Sequence, residues 1–162
     1  MSIIKDRNEV IRIRRELKKQ NKKLVFTNGC FDILHSGHVD YLSKSKQLGD
    51  YLIVGLNSDS SVRNIKGEKR PILDETERAT LLDNLKCVDF VTFFDEDTPE
   101  NLINSLVPDI LVKGADWPPD KIVGRQVVLA NGGEVRTIDF LSLQSTSKII
   151  KTIIDRYCKL GD

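Results

Sequence analysis

Histidine occurs only twice in this 162-residue chain, methionine and tryptophan once each, and aromatic residues make up just 6%. A core with so few rings must be aliphatic, and Leu, Ile and Val are plentiful. The three cysteines, Cys30, Cys87 and Cys158, include no CxxC pair. That excludes a disulfide framework and a zinc knuckle, and it suits a reducing compartment. No stretch approaches the roughly eighteen apolar residues of a membrane span. The opening MSIIKDRNEVIRIRREL has no apolar core of signal-peptide length. Neither sign of charge dominates, with 25 bases against 24 acids, which argues against general nucleic-acid binding. A cytoplasmic protein with no membrane and no nucleic-acid partner is expected.

The charge is uneven along the chain. Residues 1–23 carry nine Lys or Arg against three acids, and the remainder is acidic. One domain spanning 1–162 is expected, with a basic helix over 1–22 ahead of the core at 23–162. Five short runs rich in branched residues stand out: KLVFT (23–27), YLIVGL (51–56), VDFVTFF (88–94), DILVKG (109–114) and GEVRTID (133–139). They are continuous rather than alternating, as in strands buried on both faces. Helical spacing fills the intervals 6–20, 37–48, 75–86, 98–106, 121–131 and 146–159. Thr98 reads as a cap ahead of Pro99, and Asn131-Gly132-Gly133 as a stop. This alternation predicts a Rossmann-like three-layer α/β/α fold around a five-stranded parallel sheet in the order 3-2-1-4-5. Ligands in such sheets sit beyond the carboxyl ends of strands, where the order reverses.

After the first run comes NGCFDILHSGH, with a turn at Asn28-Gly29 and a helix start near Ser36-Gly37. The first amides of that helix favour an anion. Gly37 permits close approach, and His35 and His38 flank the site as donors to phosphate oxygens. Zinc held with Cys30 is disfavoured, because neither HExxH spacing nor a nearby second cysteine completes a site. After the second run, NSDSSVRNIKGEKRPILDETER is polar and basic. It reads as a mobile lid over phosphates, with Arg70 as its planar fork. After the fourth run, Asp116 suits a ribose or sugar hydroxyl or magnesium, and Trp117 a pocket wall. Ser145, Thr146 and Ser147 read first as N-caps, but a cap needs one hydroxyl and here three stand in a row.

The string FTNGCFDILHSGHVDYL, followed by LGDYLIVGLNSD, KGEKRPI, DTPENLI, PDILVKGADW, ANGGEV and STSKIIKTI, resembles the nucleotidyltransferases of the cytidylyltransferase-like superfamily. Within it the string closely resembles one branch, the D-glycero-β-D-manno-heptose-1-phosphate adenylyltransferases, with the likeness running from about residue 22 to 154. Members occur as free proteins and as kinase fusions, and a chain of this length is expected to be the free form. The resemblance implies transfer of AMP from ATP to a sugar 1-phosphate, with Mg2+ bound mainly through the ATP phosphates. It implies catalytic roles for His35, His38 and Lys46, the lysine reaching the triphosphate. Thr27, Asn28, Gly29, Cys30, Phe31, Gly37, Lys113 and Gly114 would bind the nucleotide, and Ser145, Thr146 and Ser147 its β- and γ-phosphates. Asp32, Arg70, Asp116 and Trp117 would bind the sugar phosphate. A homodimer is expected.

A phosphate monoester has its second pKa near 6, so such a nucleophile needs no general base, and Cys30 is expected to pack rather than react. Two alternatives stay open: a cytidylyltransferase acting on glycerol 3-phosphate or a similar alcohol phosphate, and a non-catalytic nucleotide-binding module on the same fold. The stretch 140–144 lacks the arginine and glycine of the Arg-x-x-Gly-Ile-Ser-Thr-Thr motif, which weakens the CTP reading. It also lacks the Asp-Gly frequent in the heptose branch.

Overall fold

The computed structural model describes residues 2–139 and 144–158. All five expected strands form: β2 (Leu24–Gly29), β3 (Tyr51–Asn57), β4 (Phe90–Phe94), β5 (Ile110–Gly114) and β6 (Glu134–Ile138). They are parallel and run β4-β3-β2-β5-β6, which is the expected 3-2-1-4-5. A sixth strand, β1 (Ile3–Ile4), pairs with the free edge of β4, Ile3 opposite Val91. The basic helix therefore does not fill 1–22. It is α1 (Arg7–Lys19), opened by Asp6, whose carboxylate accepts from the Asn8 amide. Ile4 is only 4% exposed, because an uncovered strand edge is the place where two apolar residues gain most by pairing.

Adjacent residues of one strand feed opposite cores. Leu24 and Phe26 pack with Val10, Leu17, Leu102 and Ile103 under α1 and α5 (Glu100–Leu106). Val25 packs with Tyr41, Leu42, Ala79 and Leu82 under α2 (Ser36–Lys46) and α4 (Glu75–Asp83). Burying one such side chain fully contributes about 1.5–3 kcal/mol, so both faces of each central strand must be apolar. Neighbouring strands press closely: a Cβ on Gly55 of β3 would lie 2.8 Å from the Phe26 ring of β2. One cation of the basic helix is structural. Arg14 is buried, pairs with Asp109 at 2.8 Å and donates to the Leu106 and Val107 carbonyls.

Three expected elements differ. The stretch read as a lid contains a helix, α3 (Asp59–Lys66), capped by Ser58 through the Ser61 amide. Its sequence is mostly polar, which concealed it. Pro99, not Thr98, takes the cap position of α5. The helix expected over 121–131 is interrupted. A 3-10 turn at Pro119–Lys121 precedes α6 (Arg125–Ala130), which starts behind Gly124 at a left-handed φ of 83°. The last helix, α7 (Thr146–Tyr157), follows β6 and has no buried residue. No helix among the described residues is long and apolar enough to cross a membrane.

Candidate active site

β2 and β5 pair only through Val25–Ile110 and Phe26–Leu111. Beyond those residues the strands part, and a cavity of about 760 Å³ opens over their carboxyl ends. Asn28, Gly29, Cys30, Phe31 and Asp32 line it from the end of β2, and His35 and His38 from α2. Lys66 and Arg70 face it from the α3 side, and Lys113, Asp116 and Trp117 from the β5 side. Ser145, Thr146 and Ser147 bring the start of α7 to its rim. A second cavity of about 160 Å³ shares Asn28, His38, Lys113, Asp116 and Trp117 and adds Tyr41 and Gly114.

The histidines form a stacked pair, ring centroids 3.9 Å apart at 29°. His35 is the cap residue of α2, and its Nδ1 accepts from the Gly37 amide at 3.2 Å. A neutral imidazole accepting at Nδ1 carries its proton on Nε2, which leaves a donor for the cavity. Phe31, at a left-handed φ of 44°, meets the His38 ring edge-on at 5.3 Å. His38 Nδ1 is buried and has no hydrogen-bond partner among the described residues. Burial, with the neighbouring His35, pushes His38 down to about 4, and burial also lowers His35. The pair is neutral at pH 7. The Gly37, His38 and Val39 amides are taken by the Nδ1 and carbonyl of His35. The imidazoles therefore stand as side-chain donors at this helix start, and the Gly37 amide is engaged in the cap.

The structure relocates other expected residues. Thr27 lies beneath the cavity, its hydroxyl 2.7 Å from that of Tyr41. Lys46 is at the far end of α2. Eleven residues beyond His35, at about 1.5 Å each, it is roughly 16 Å away. Its Nζ donates to Asp89 and to the Asp50 carbonyl, both at 2.5 Å, beside the start of β3. A helix following a parallel strand runs back towards the amino edge of the sheet, so it carried Lys46 away from the cavity. Asp32 meets the cavity wall but is only 1% exposed, and its oxygens are already engaged. Its oxygens accept from the Ile72 and Leu73 amides and from Arg70 Nε at 2.5 Å. Burial alone would raise its pKa; the two amides and Arg70 outweigh that and hold it low. Asp32 therefore aims Arg70. Burial pushes the Cys30 thiol up, so it is protonated at neutral pH.

Lys66, one of the bases in the stretch read as a lid, ends α3 at the cavity wall. One contributor was missed in the sequence. Arg78, fully buried in α4, donates to the carbonyls of Cys30, Asn57 and Leu73 and pairs with Asp59 at 2.7 Å. It ties the ends of β2 and β3 to the segment before α4. Nothing in ETERATLLD distinguishes it from a solvated helix arginine. Residues 140–143, which hold most of the stretch departing from the family motif, lie outside the described residues. No group of three or more His, Cys, Asp or Glu able to hold a metal ion lies among the described residues. Asp97 and Asp116 supply carboxylates to the cavity wall.

A parallel sheet with a cationic cavity at its switch point, topped by a neutral histidine pair, defines a phosphate-handling α/β protein. The cytidylyltransferase-like family model matches residues 26–152. The bifunctional protein HldE of Citrifermentans bemidjiense is 58% identical over 138 residues, covering 85% of this chain and 28% of that protein. Its counterpart from Pelobacter propionicus is 50% identical, covering 96% and 32%. The chain thus spans about three tenths of the length of these curated relatives. The crystal structure of the lipopolysaccharide core biosynthesis protein from Thermoplasma volcanium GSS1 superposes with a TM-score of 0.62. It is 34% identical, over 76% of this chain and 99% of that one. The chain belongs to the cytidylyltransferase-like family and is a nucleotidyltransferase.

Proposed function

We propose that this chain moves AMP from ATP onto D-glycero-β-D-manno-heptose 1-phosphate, giving ADP-heptose and pyrophosphate. One observation carries the reading. Lys66 with Arg70 on one side and Lys113 on the other share a single cavity with the neutral histidine pair and the α7 hydroxyls. Two phosphate-bearing substrates that must meet in line need such an arrangement. The likeness to HldE proteins and to a lipopolysaccharide core biosynthesis protein supports a sugar as the acceptor.

The acceptor phosphate is largely ionised above pH 6, so its oxygen attacks the α-phosphorus directly. The bond to the β-phosphate oxygen breaks, and its electrons leave with pyrophosphate. No side chain has to remove a proton, and the protonated Cys30 takes no part. His38 and His35, neutral, donate to oxygens on which charge develops. Arg70, steered by Asp32, and Lys66 hold the acceptor phosphate, while Ser145, Thr146 and Ser147 hold the far phosphates of ATP. Mg2+ arriving on the nucleotide would screen the leaving pyrophosphate.

The test is pyrophosphate release from ATP or CTP paired with the heptose 1-phosphate or glycerol 3-phosphate. Rapid release is expected only from ATP with the heptose phosphate. Preference for CTP with glycerol 3-phosphate would overturn the substrate assignment. Tight ATP binding without release from any pair would overturn the enzymatic reading.

A further inference from the structure

Lys113 is the fourth residue of β5 and is 9% exposed. Its ammonium has three donors. One goes to Asn28 Oδ1 across the switch point, and the Trp117 ring lies 5.7 Å away. No carboxylate among the described residues forms an ion pair with it. A buried cation with no carboxylate in direct contact is unfavourable, and a strand end could carry an apolar residue at no such cost. The side chain stands where the two cavities share their wall, with His38 and Asp116 beside it. The arrangement is completed by an arriving anion with several acceptor oxygens.

We propose that Lys113 receives a substrate phosphoryl group at the junction of the two cavities, and that above neutral pH the anion and a proton bind there together. The idea rests on the proposed transferase reading and gives Lys113 a charge state that responds to the ligand. Burial pulls Lys113 down to about 8, with the Asp116 carboxylate only partly opposing the fall. A bound phosphate supplies a counter-charge in direct contact and lifts it back towards the ordinary lysine range. Between those values the free protein holds a neutral amine and the complex an ammonium, so binding takes up a proton. Affinity then falls as pH rises through about 8, by up to roughly tenfold per unit. Below about pH 7 both states are charged and this dependence vanishes. The other groups facing Lys113 do not mimic it in this window. His38 is held near 4, and the Cys30 thiol and the Tyr41 hydroxyl are both raised by burial.

The phosphoryl group could belong to the nucleotide or to the sugar phosphate, and separate titrations distinguish them. Calorimetry with Mg2+ and the α,β-methylene analogue of ATP, and separately with the heptose 1-phosphate, would be run at pH 7.0 and 8.5. Each would be repeated in two buffers of different ionisation enthalpy. The ligand that meets Lys113 should take up a substantial fraction of a proton at pH 8.5 and almost none at 7.0. Lys113→Met should abolish the uptake and weaken that ligand about tenfold or more at pH 7.0. Lys113→Arg should restore affinity without uptake, because a guanidinium stays charged. Binding of both ligands to the unmodified chain without uptake at pH 8.5 overturns the Lys113 proposal and leaves the transferase reading standing. So does uptake that persists in Lys113→Met. Failure of both ligands to bind at pH 7.0 overturns the transferase reading itself, and this proposal with it. If Lys113→Met does not fold, uptake by the unmodified chain and its loss in Lys113→Arg still decide the matter.

Discussion

At His38, burial and the stacked His35 ring keep the imidazole neutral, and two consequences follow. If its donor meets charge that develops only during transfer, His38→Ala should lower kcat by on the order of 10²-fold or more, with a smaller change in KM. Steady-state kinetics decide this, and a change confined to KM would mean ordinary ground-state binding. The second consequence concerns stability. His38 titrates at about 4 in the fold against 6.5 ordinarily. Between those values the unfolded chain binds a proton that the fold refuses. Stability is therefore complete above about pH 6.5 and declines as the pH falls towards 4. The midpoint of thermal unfolding should drop between pH 7 and 5, and His38→Gln should flatten that slope. An equal slope in both proteins would show that burial does not depress this histidine. That both histidines stand at the cavity was legible in HSGH. Their neutrality was not, since it depends on the ring stack and on Phe31 at its edge.

Among the elements, the direction of α2 decides the fate of Lys46. Its partner Asp89 lies at the amino edge of the sheet, and both side chains are about a quarter exposed. Lys46→Ala should therefore leave kcat within about twofold and lower stability by at most about 1 kcal/mol. A hundredfold loss of turnover would contradict this placement. Arg78 is the opposite case, silent in the sequence and central in the structure. Arg78→Leu leaves Asp59 without its partner and three carbonyls without a donor, which should destabilise the protein by about 3–5 kcal/mol in urea unfolding. A loss under about 1 kcal/mol would mean that the carbonyls find other donors. Helix α3 shows why such ties escape a sequence reading. Only Ser61 and Val62 of it are buried, so it has almost no apolar stripe to announce it.

For the whole molecule, the sheet is closed on one side by β1, far along the chain from the residues that form the cavity. Ile4→Ala should lower stability by about 2 kcal/mol while kcat stays within about twofold, measured by urea unfolding and pyrophosphate release. A turnover defect at full stability would couple the sheet edge to the cavity. The strand order, the switch point and the residues crowded after strands β2 and β5 could all be read from the sequence. Continuous apolar runs report burial on both faces, and glycine and histidine report turns and chemistry, all within a few positions of the chain. Which candidates actually face the cavity was decided only by the tertiary structure. Asp32 turned to Arg70, Lys46 was carried to the opposite edge, Lys66 was brought in on an unannounced helix, and Lys113 was buried with no ion-pair contact among the described residues. Three of these outcomes depend on partners 38 to 85 residues away: Arg70 for Asp32, Asp89 for Lys46 and Asn28 for Lys113. Local spacing carries no information about contacts made across the sheet.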